Sequence, residues 1–206
     1  MVNMVIIGAN VGRSDPSAAW VQIRKNGWRG LFVEPLPQSF EKLKQYYSDV
    51  EGNYFEQAAI MPDVPENEGL KGYVTFYYNL DLTTSASTIS NPRNNLNETT
   101  VRALTLTRLL EKYNLIDVEF DLLQLDIEGQ DISVLKSTDF THILPKYIRV
   151  ETIHNPQNQI DDLSTHLKKW GYAVLSPDPF WKEYAANHPA PEKEHYNTVY
   201  IKKEEG

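Results

Sequence analysis

The sequence predicts an α/β protein built on a doubly wound, mostly parallel sheet. Short apolar runs alternate with stretches whose apolar residues recur every three or four positions, the signature of strands linked by amphipathic helices. The runs are continuously apolar, as strands covered on both faces must be. Five of them also end in polar residues suited to a common site, and in such sheets ligands bind beyond the carboxyl ends of the strands.

The elements follow in order. "MVIIG" at residues 4–8 reads as a buried strand. "SDPSAAWVQIRKNGW" reads as a helix: Ser14 or Asp15 can cap it, Pro16 suits its first turn, Trp20 and Ile23 share a face, and Gly27 can end it. "GLFVEP" is a second strand closing on an acid and a proline, and "PQSFEKLKQYYSD" is a helix with Phe40, Leu43 and Tyr47 at helical spacing. "NYFEQAAI" reads as a third strand.

The alternation then breaks. "MPDVPENEGLKG" is turn-rich, and the β-branched and aromatic "YVTFYYNL" is an extra strand. Residues 81–100, "DLTTSASTISNPRNNLNETT", read as a polar loop long enough to be functional, and 61–100 as a whole as a lid or insertion in a single domain spanning 1–206. "LTLTRLLEKYNL" reads as a helix with Leu106, Leu109, Leu110 and Tyr113 inward, and "FDLLQLDIEG" as a buried strand. "QDISVLKST" is a short helix, "KYIRVETIHN" a strand, and "NQIDDLSTHLKKW" a helix closed by Gly171. The last strands, "YAVLS" and "NTVYIKK", have no helix between them and can pair antiparallel.

Composition narrows the function. The net charge of -8 and a pI near 5.1 argue against general binding to nucleic acid or to an anionic membrane, which needs a basic surface. With no cysteine, disulfides and thiolate metal sites are excluded. No apolar run approaches the roughly 20 residues of a membrane span, and no signal peptide is evident, so the expectation is a soluble cytoplasmic protein.

The polar residues expected at the strand ends are Gly8 and Asn10 after the first strand, Glu34 after the second, Gln57 and Ala59 after the third, Asp126 and Glu128 after the fourth, and Glu151 and His154 after the fifth. Glu34 lies a little over twenty residues past the Gly12 turn, where an acid can accept both hydroxyls of a ribose. The turn "GANVG" is not G-x-G-x-x-G: Asn10 stands where a glycine would let the backbone approach a pyrophosphate. An adenosine ligand without a diphosphate fits better, and S-adenosylmethionine is the obvious one.

The stretches "IIGANVGRSD", "GWRGLFVEPLPQSFEKL", "AAI", "LTLTRLLEKYNLIDVEFDLLQLDIEGQDISVLK" and "IRVE" resemble, in order, the FkbM family of S-adenosylmethionine-dependent methyltransferases. The resemblance covers roughly residues 4 to 151, and "DLLQLDIEG" is its most specific part. It implies the Rossmann-like class I methyltransferase fold, a seven-stranded sheet with an antiparallel last strand, and methyl transfer to a hydroxyl of a sugar or natural product. It also implies that Gly8, Ala9, Asn10 and Gly12 form the cofactor loop, that Glu34, followed by Pro35, holds the ribose, that Ala59 and Ile60 lie beside the adenine, and that Asp126 faces the methionine end and the acceptor. The chain departs from the family pattern at Ile6, where an acid is common, and at Gln124, where a lysine is usual. It begins directly at the first strand, without the N-terminal extension common in the family, which implies a more open pocket, a recruited partner or a larger acceptor.

Methylating an alcohol oxygen calls for a general base or a cation to activate the acceptor. Asp126, Glu128 and His154 are the candidate bases. Asp126, Glu128 and Glu151 could instead hold Mg²⁺, though nothing in the spacing demands a metal. Asp126 could alternatively cap the helix after it, and His154 could be a plain loop histidine. The segment "DLTTSASTISNPRNN", residues 81–95, with Arg93, offers groups for a hydroxylated or acidic acceptor, while Phe180 and Trp181 read as packing residues rather than sugar platforms. A nicotinamide-dependent oxidoreductase and a non-catalytic cofactor-binding module are the competing readings.

Overall fold

The computed structural model describes residues 1–12, 18–64, 72–78, 97–127, 129–153, 155–180, 182 and 197–203. Ten strands and five helices are described. The strands are β1 (Met4–Ile7), β2 (Gly30–Val33), β3 (Tyr54–Glu56), β4 (Ala59–Met61), β5 (Tyr73–Tyr78), β6 (Asn97–Thr105), β7 (Glu119–Leu125), β8 (Leu144–Glu151), β9 (Tyr172–Leu175) and β10 (Asn197–Lys202). The helices are α1 (Ala18–Asn26), α2 (Pro37–Tyr46), α3 (Leu106–Lys112), α4 (Asp131–Ser137) and α5 (Gln157–Lys168).

Seven strands form one sheet in the order β3-β2-β1-β7-β8-β10-β9. All neighbours are parallel except β10, which runs antiparallel to both β8 and β9. The expected seven-stranded, doubly wound sheet with an antiparallel last strand is therefore present. The alternation of β1 shows why it is doubly wound. Val5 and Ile7 face one side, where they join Leu109 and Leu110 of α3, Leu135 of α4 and Leu163 of α5. Met4 and Ile6 face the other, where they meet Ala19 and Ile23 of α1 and Leu43 of α2. A strand buried on both faces needs apolar residues at every position, which "MVII" supplies. Each such side chain contributes about 1.5–3 kcal/mol by leaving water.

Three strands form a second sheet, in the order β4-β6-β5, and here the sequence reading needs correction. The expected single strand "NYFEQAAI" is two. β3 ends at Glu56, and β4 starts at Ala59 in the second sheet, parallel to β6. Gln57 follows β3 as expected, but Ala59 opens a strand rather than ending one. The reason lies in Glu56, buried at the end of β3, where its carboxylate accepts bonds from Arg102 of β6, Lys112 of α3 and the Tyr113 hydroxyl. That clamp ends one strand and draws the chain across to the next.

A second correction concerns residues 97–100, expected in the polar loop, which begin β6. β6 carries period-two order: Thr99 and Val101 face inward opposite Phe76 and Val74 of β5, while Glu98, Thr100 and Arg102 are exposed. With Asn97, Thr99 and Thr105 among the inward positions, the alternation resembles a polar linker. The helix expected from Leu104 starts only at Leu106, because Thr105 is its N-cap and its hydroxyl accepts the Arg108 N–H at 3.3 Å. The core of the expected lid, residues 79–96, lies outside the described residues, as do Arg93, Trp181, the expected caps Ser14 and Asp15, and the first-turn Pro16. Phe180 packs edge-on against Tyr147, with ring centroids 5.3 Å apart, the packing role expected of it. No helix among the described residues is long and apolar enough to cross a membrane.

Gly8 is the most closely approached of the described glycines. Its φ is +80°, and a Cβ there would lie 1.9 Å from the carbonyl oxygen of Asp126. We expect Gly8→Ala to lower stability by about 3 kcal/mol, combining left-handed backbone strain with displacement of a neighbouring strand. For a chain of this size that is a fall of roughly 10 °C in Tm, read by circular dichroism.

Candidate functional site

The register of the large sheet builds the site. Ile7 is level with Val33 on one side and Leu125 on the other, and Leu125 is level with Val150. The next residue of each strand is therefore Gly8, Glu34, Asp126 or Glu151, and these stand in one row along the carboxyl edge. The sequence reading expected these residues to converge, and the sheet brings them together.

The turn after β1 folds back over this row. Gly8 and Ala9 donate their N–H groups to the Val33 carbonyl, at 3.0 and 2.9 Å, and Gly12 donates to the Ala9 carbonyl at 3.0 Å. Asn10 adopts a φ of +46°, a conformation asparagine tolerates better than most residues. Gly12 has a second reason to lack a side chain, since a Cβ would lie 2.8 Å from the Tyr47 ring and 3.0 Å from Leu43. The turn is thus wedged between the sheet edge and α2.

Glu34 is held within this turn. Its Oε2 accepts the Asn10 N–H and its Oε1 the Leu36 N–H, both at 2.9 Å. The side chain is 5% exposed, and Pro35 and Leu36 after it are also buried. Burial pushes the carboxyl up to about 7, against the opposing pull of the Leu36 and Asn10 amides. Nearby, Asn10 Oδ1 is buried and has no hydrogen-bond partner among the described residues. Together these atoms make an edge rich in acceptors and poor in donors, because a carboxylate has about four lone-pair sites and here receives two N–H groups. A fitting ligand brings hydroxyl or ammonium donors.

On the other side of β1, Asp126 donates its backbone N–H to the Ile7 carbonyl at 3.0 Å, and its side chain is half-buried. The loop after it is tied by a residue to which the sequence reading gave no role. Asp131 accepts the N–H of Ile127 at 2.9 Å and of Gly129 at 3.2 Å, and burial raises its pKa against those two bonds. An acid in the first turn of a helix, a few residues after a strand-end acid, is the sequence signal for it. Glu128 and His154, the other two candidate bases, lie outside the described residues. Among the described residues there is no group of three or more histidine, cysteine or acidic side chains arranged to hold a metal.

One layer beneath the row lies a buried charge pair that the sequence reading also missed. Arg149 of β8, 1% exposed, donates from Nε to Asp178 at 2.9 Å and from Nη1 to the Gln124 side chain of β7 at 3.2 Å. Asp178 in turn accepts the Phe180 N–H at 2.9 Å, so the segment after β9 is anchored beneath the site. Ala59 and Ile60 are both buried in β4, and Ala59 packs with Leu36 and Phe76. This joins the second sheet to the loop that carries Glu34.

The sequence matches the Methyltransferase FkbM domain over residues 7–174, most of the chain. This protein belongs to the FkbM methyltransferase family. Methyltransferases of this family use S-adenosylmethionine. Among solved structures, fibrillarin from Aeropyrum pernix, with natively bound S-adenosyl-L-methionine, shares the fold at a TM-score of 0.50 and 13% identity, covering 97% of this chain and 66% of its own. The trans-methyltransferase CalH in complex with SAH aligns at a TM-score of 0.44 and 12% identity, over 98% of this chain and 51% of its own. The FkbM chain thus spans less than two thirds of the length of either. No curated protein matches the sequence.

The protonation of Glu34 has a consequence for stability. Between about 4.5, its ordinary value, and 7, the folded chain holds a proton that the unfolded chain has lost. Stability without ligand therefore declines as pH rises through this window and levels off above it, by roughly 3 kcal/mol in all. Glu34→Gln removes the dependence, so the variant's stability relative to the native protein should grow by roughly 2.5 kcal/mol between pH 5 and 8, measured by urea denaturation.

Proposed function

We propose that this protein is an S-adenosylmethionine-dependent methyltransferase acting on a hydroxyl oxygen of a sugar or a small natural-product-like acceptor. The observation that carries the reading is the row of Gly8, Glu34, Asp126 and Glu151 along one sheet edge, with buried acceptors at Glu34 and Asn10. When bound, the cofactor supplies an electrophilic methyl group on a sulfonium.

In this reading Glu34 accepts the ribose hydroxyls, while Pro35, Ala59 and Ile60 lie on the adenine side. Gly8, Ala9, Asn10 and Gly12 form the turn against which the methionine portion lies. Asp126 faces that portion across β1, where its carboxylate attracts a cationic donor and can take the acceptor's proton. Glu128 and His154, which follow the ends of β7 and β8 in sequence, are the alternative bases. Positioning of acceptor and donor is the larger contribution, since fixed alignment alone can supply several kcal/mol. Asp131 supports it by holding the loop after Asp126 in place.

A nicotinamide dinucleotide is disfavoured because Asn10 stands where a glycine would let the backbone approach its pyrophosphate. The test is incubation with S-adenosylmethionine labelled in the methyl group and a panel of glycans and hydroxylated small molecules, with methyl ethers identified by mass spectrometry. Transfer only to nitrogen or carbon acceptors would overturn the oxygen assignment. We expect Glu34→Ala to weaken S-adenosylhomocysteine binding by roughly 10- to 100-fold in calorimetry, for loss of two charge-assisted bonds. Asp126→Asn is expected to lower transfer to a hydroxyl by about 100-fold or more if it is the base.

A further inference from the structure

We propose that binding of the nucleoside cofactor expels a proton from Glu34, so that cofactor uptake is coupled to pH. The inference rests on the reading of Glu34 as the ribose acid and adds to it the acid's state before the ligand arrives.

Every element packed around Glu34 bears on the argument. The turn after β1 contributes the Asn10 N–H and an uncharged side chain. The start of α2 contributes the Leu36 N–H, and its first turn, Pro37 to Phe40, holds no charged residue. From β3, the Glu56 carbonyl accepts the Glu34 N–H at 3.1 Å, but the Glu56 carboxylate is taken up by Arg102 and Lys112. β4 contributes apolar Ala59 and Ile60. Asp126 follows β7, with β1 standing between it and Glu34. No lysine, arginine or histidine among the described residues pairs with Glu34.

A carboxyl group 5% exposed, with two amide donors and no counter-charge among the described residues, holds its proton well into the neutral range. A ribose changes the balance, because its two adjacent hydroxyls are donors and want two accepting oxygens. The carboxylate offers both. The protonated acid offers one and must place its own O–H elsewhere in a closed site. The ligand therefore binds the anion more tightly, and by linkage it drives the proton from the Glu34 oxygen into the buffer. No bond in the cofactor changes.

The test is titration calorimetry of the full chain with S-adenosylhomocysteine at pH 6, 7 and 8, each in two buffers of different ionisation enthalpy. The expected release is roughly nine tenths of a proton per ligand at pH 6, half at pH 7 and a tenth at pH 8, with affinity tightening about tenfold from pH 6 to 8. In Glu34→Gln the release and the pH dependence disappear, even if binding is weaker. Should that variant bind too weakly to measure, carbon-13 NMR of labelled glutamate in the native chain assigns the proton: one carboxyl resonance titrates near neutrality without ligand and loses that step with it. Binding of native protein with constant affinity and no proton release overturns the proposal while leaving the cofactor reading intact. Release that persists in Glu34→Gln also overturns it. Absence of binding at every pH overturns the cofactor reading instead.

Discussion

The approach of the β1 turn to the carbonyl of Asp126 governs the rest of this molecule. Main chain from one strand lies so close to main chain from the next that no side chain fits between them. A glycine turning left there sends the chain back toward β2, where it donates to Val33, and leaves Asn10 positioned to donate to Glu34. The other features of the edge follow from that return. The carboxylate is buried because the turn folds over it, and it keeps spare accepting capacity because two backbone amides are its hydrogen-bond donors among the described residues.

Around this edge the fold invests in anchoring. Asp131 ties the loop after β7, Arg149 and Asp178 tie the segment after β9, and Glu56 ties the second sheet and α3 to the end of β3. Burial works against the charge on Glu56, but the bonds from Lys112 and Tyr113 and the charges of Lys112 and Arg102 outweigh it and hold the group below its ordinary range. Glu34 and Glu56, adjacent in the sheet, thus carry opposite shifts: Glu56 has cations at hand, and Glu34 has two backbone amides and none among the described residues.

The sequence made the large sheet legible because its signals are local. "MVII" and "GLFV" are apolar at every position, Gly27 closes α1, and the spacing of Phe40, Leu43 and Tyr47 marks α2. The strand-end residues of the site were equally visible, since each follows directly on such a run. What escaped were features set by distant partners. Glu56 ends a strand because of Arg102 and Lys112, 46 and 56 residues away. β6 is a strand because β5 pairs with it across a long connection, and its threonine-rich inner face hid the alternation. Asp131 and Arg149 looked like ordinary charged residues until the loop and the neighbouring strand supplied their partners.

The pairing of Arg149 with Asp178 also constrains how such a chain can diverge. Losing either member alone strands a charge in an apolar layer, at a cost of about 3–5 kcal/mol, whereas replacing both with packed apolar residues can be neutral. The two positions can therefore drift only in step, and a descendant that has shed one will have shed the other, together with the grip that β8 keeps on the segment after β9.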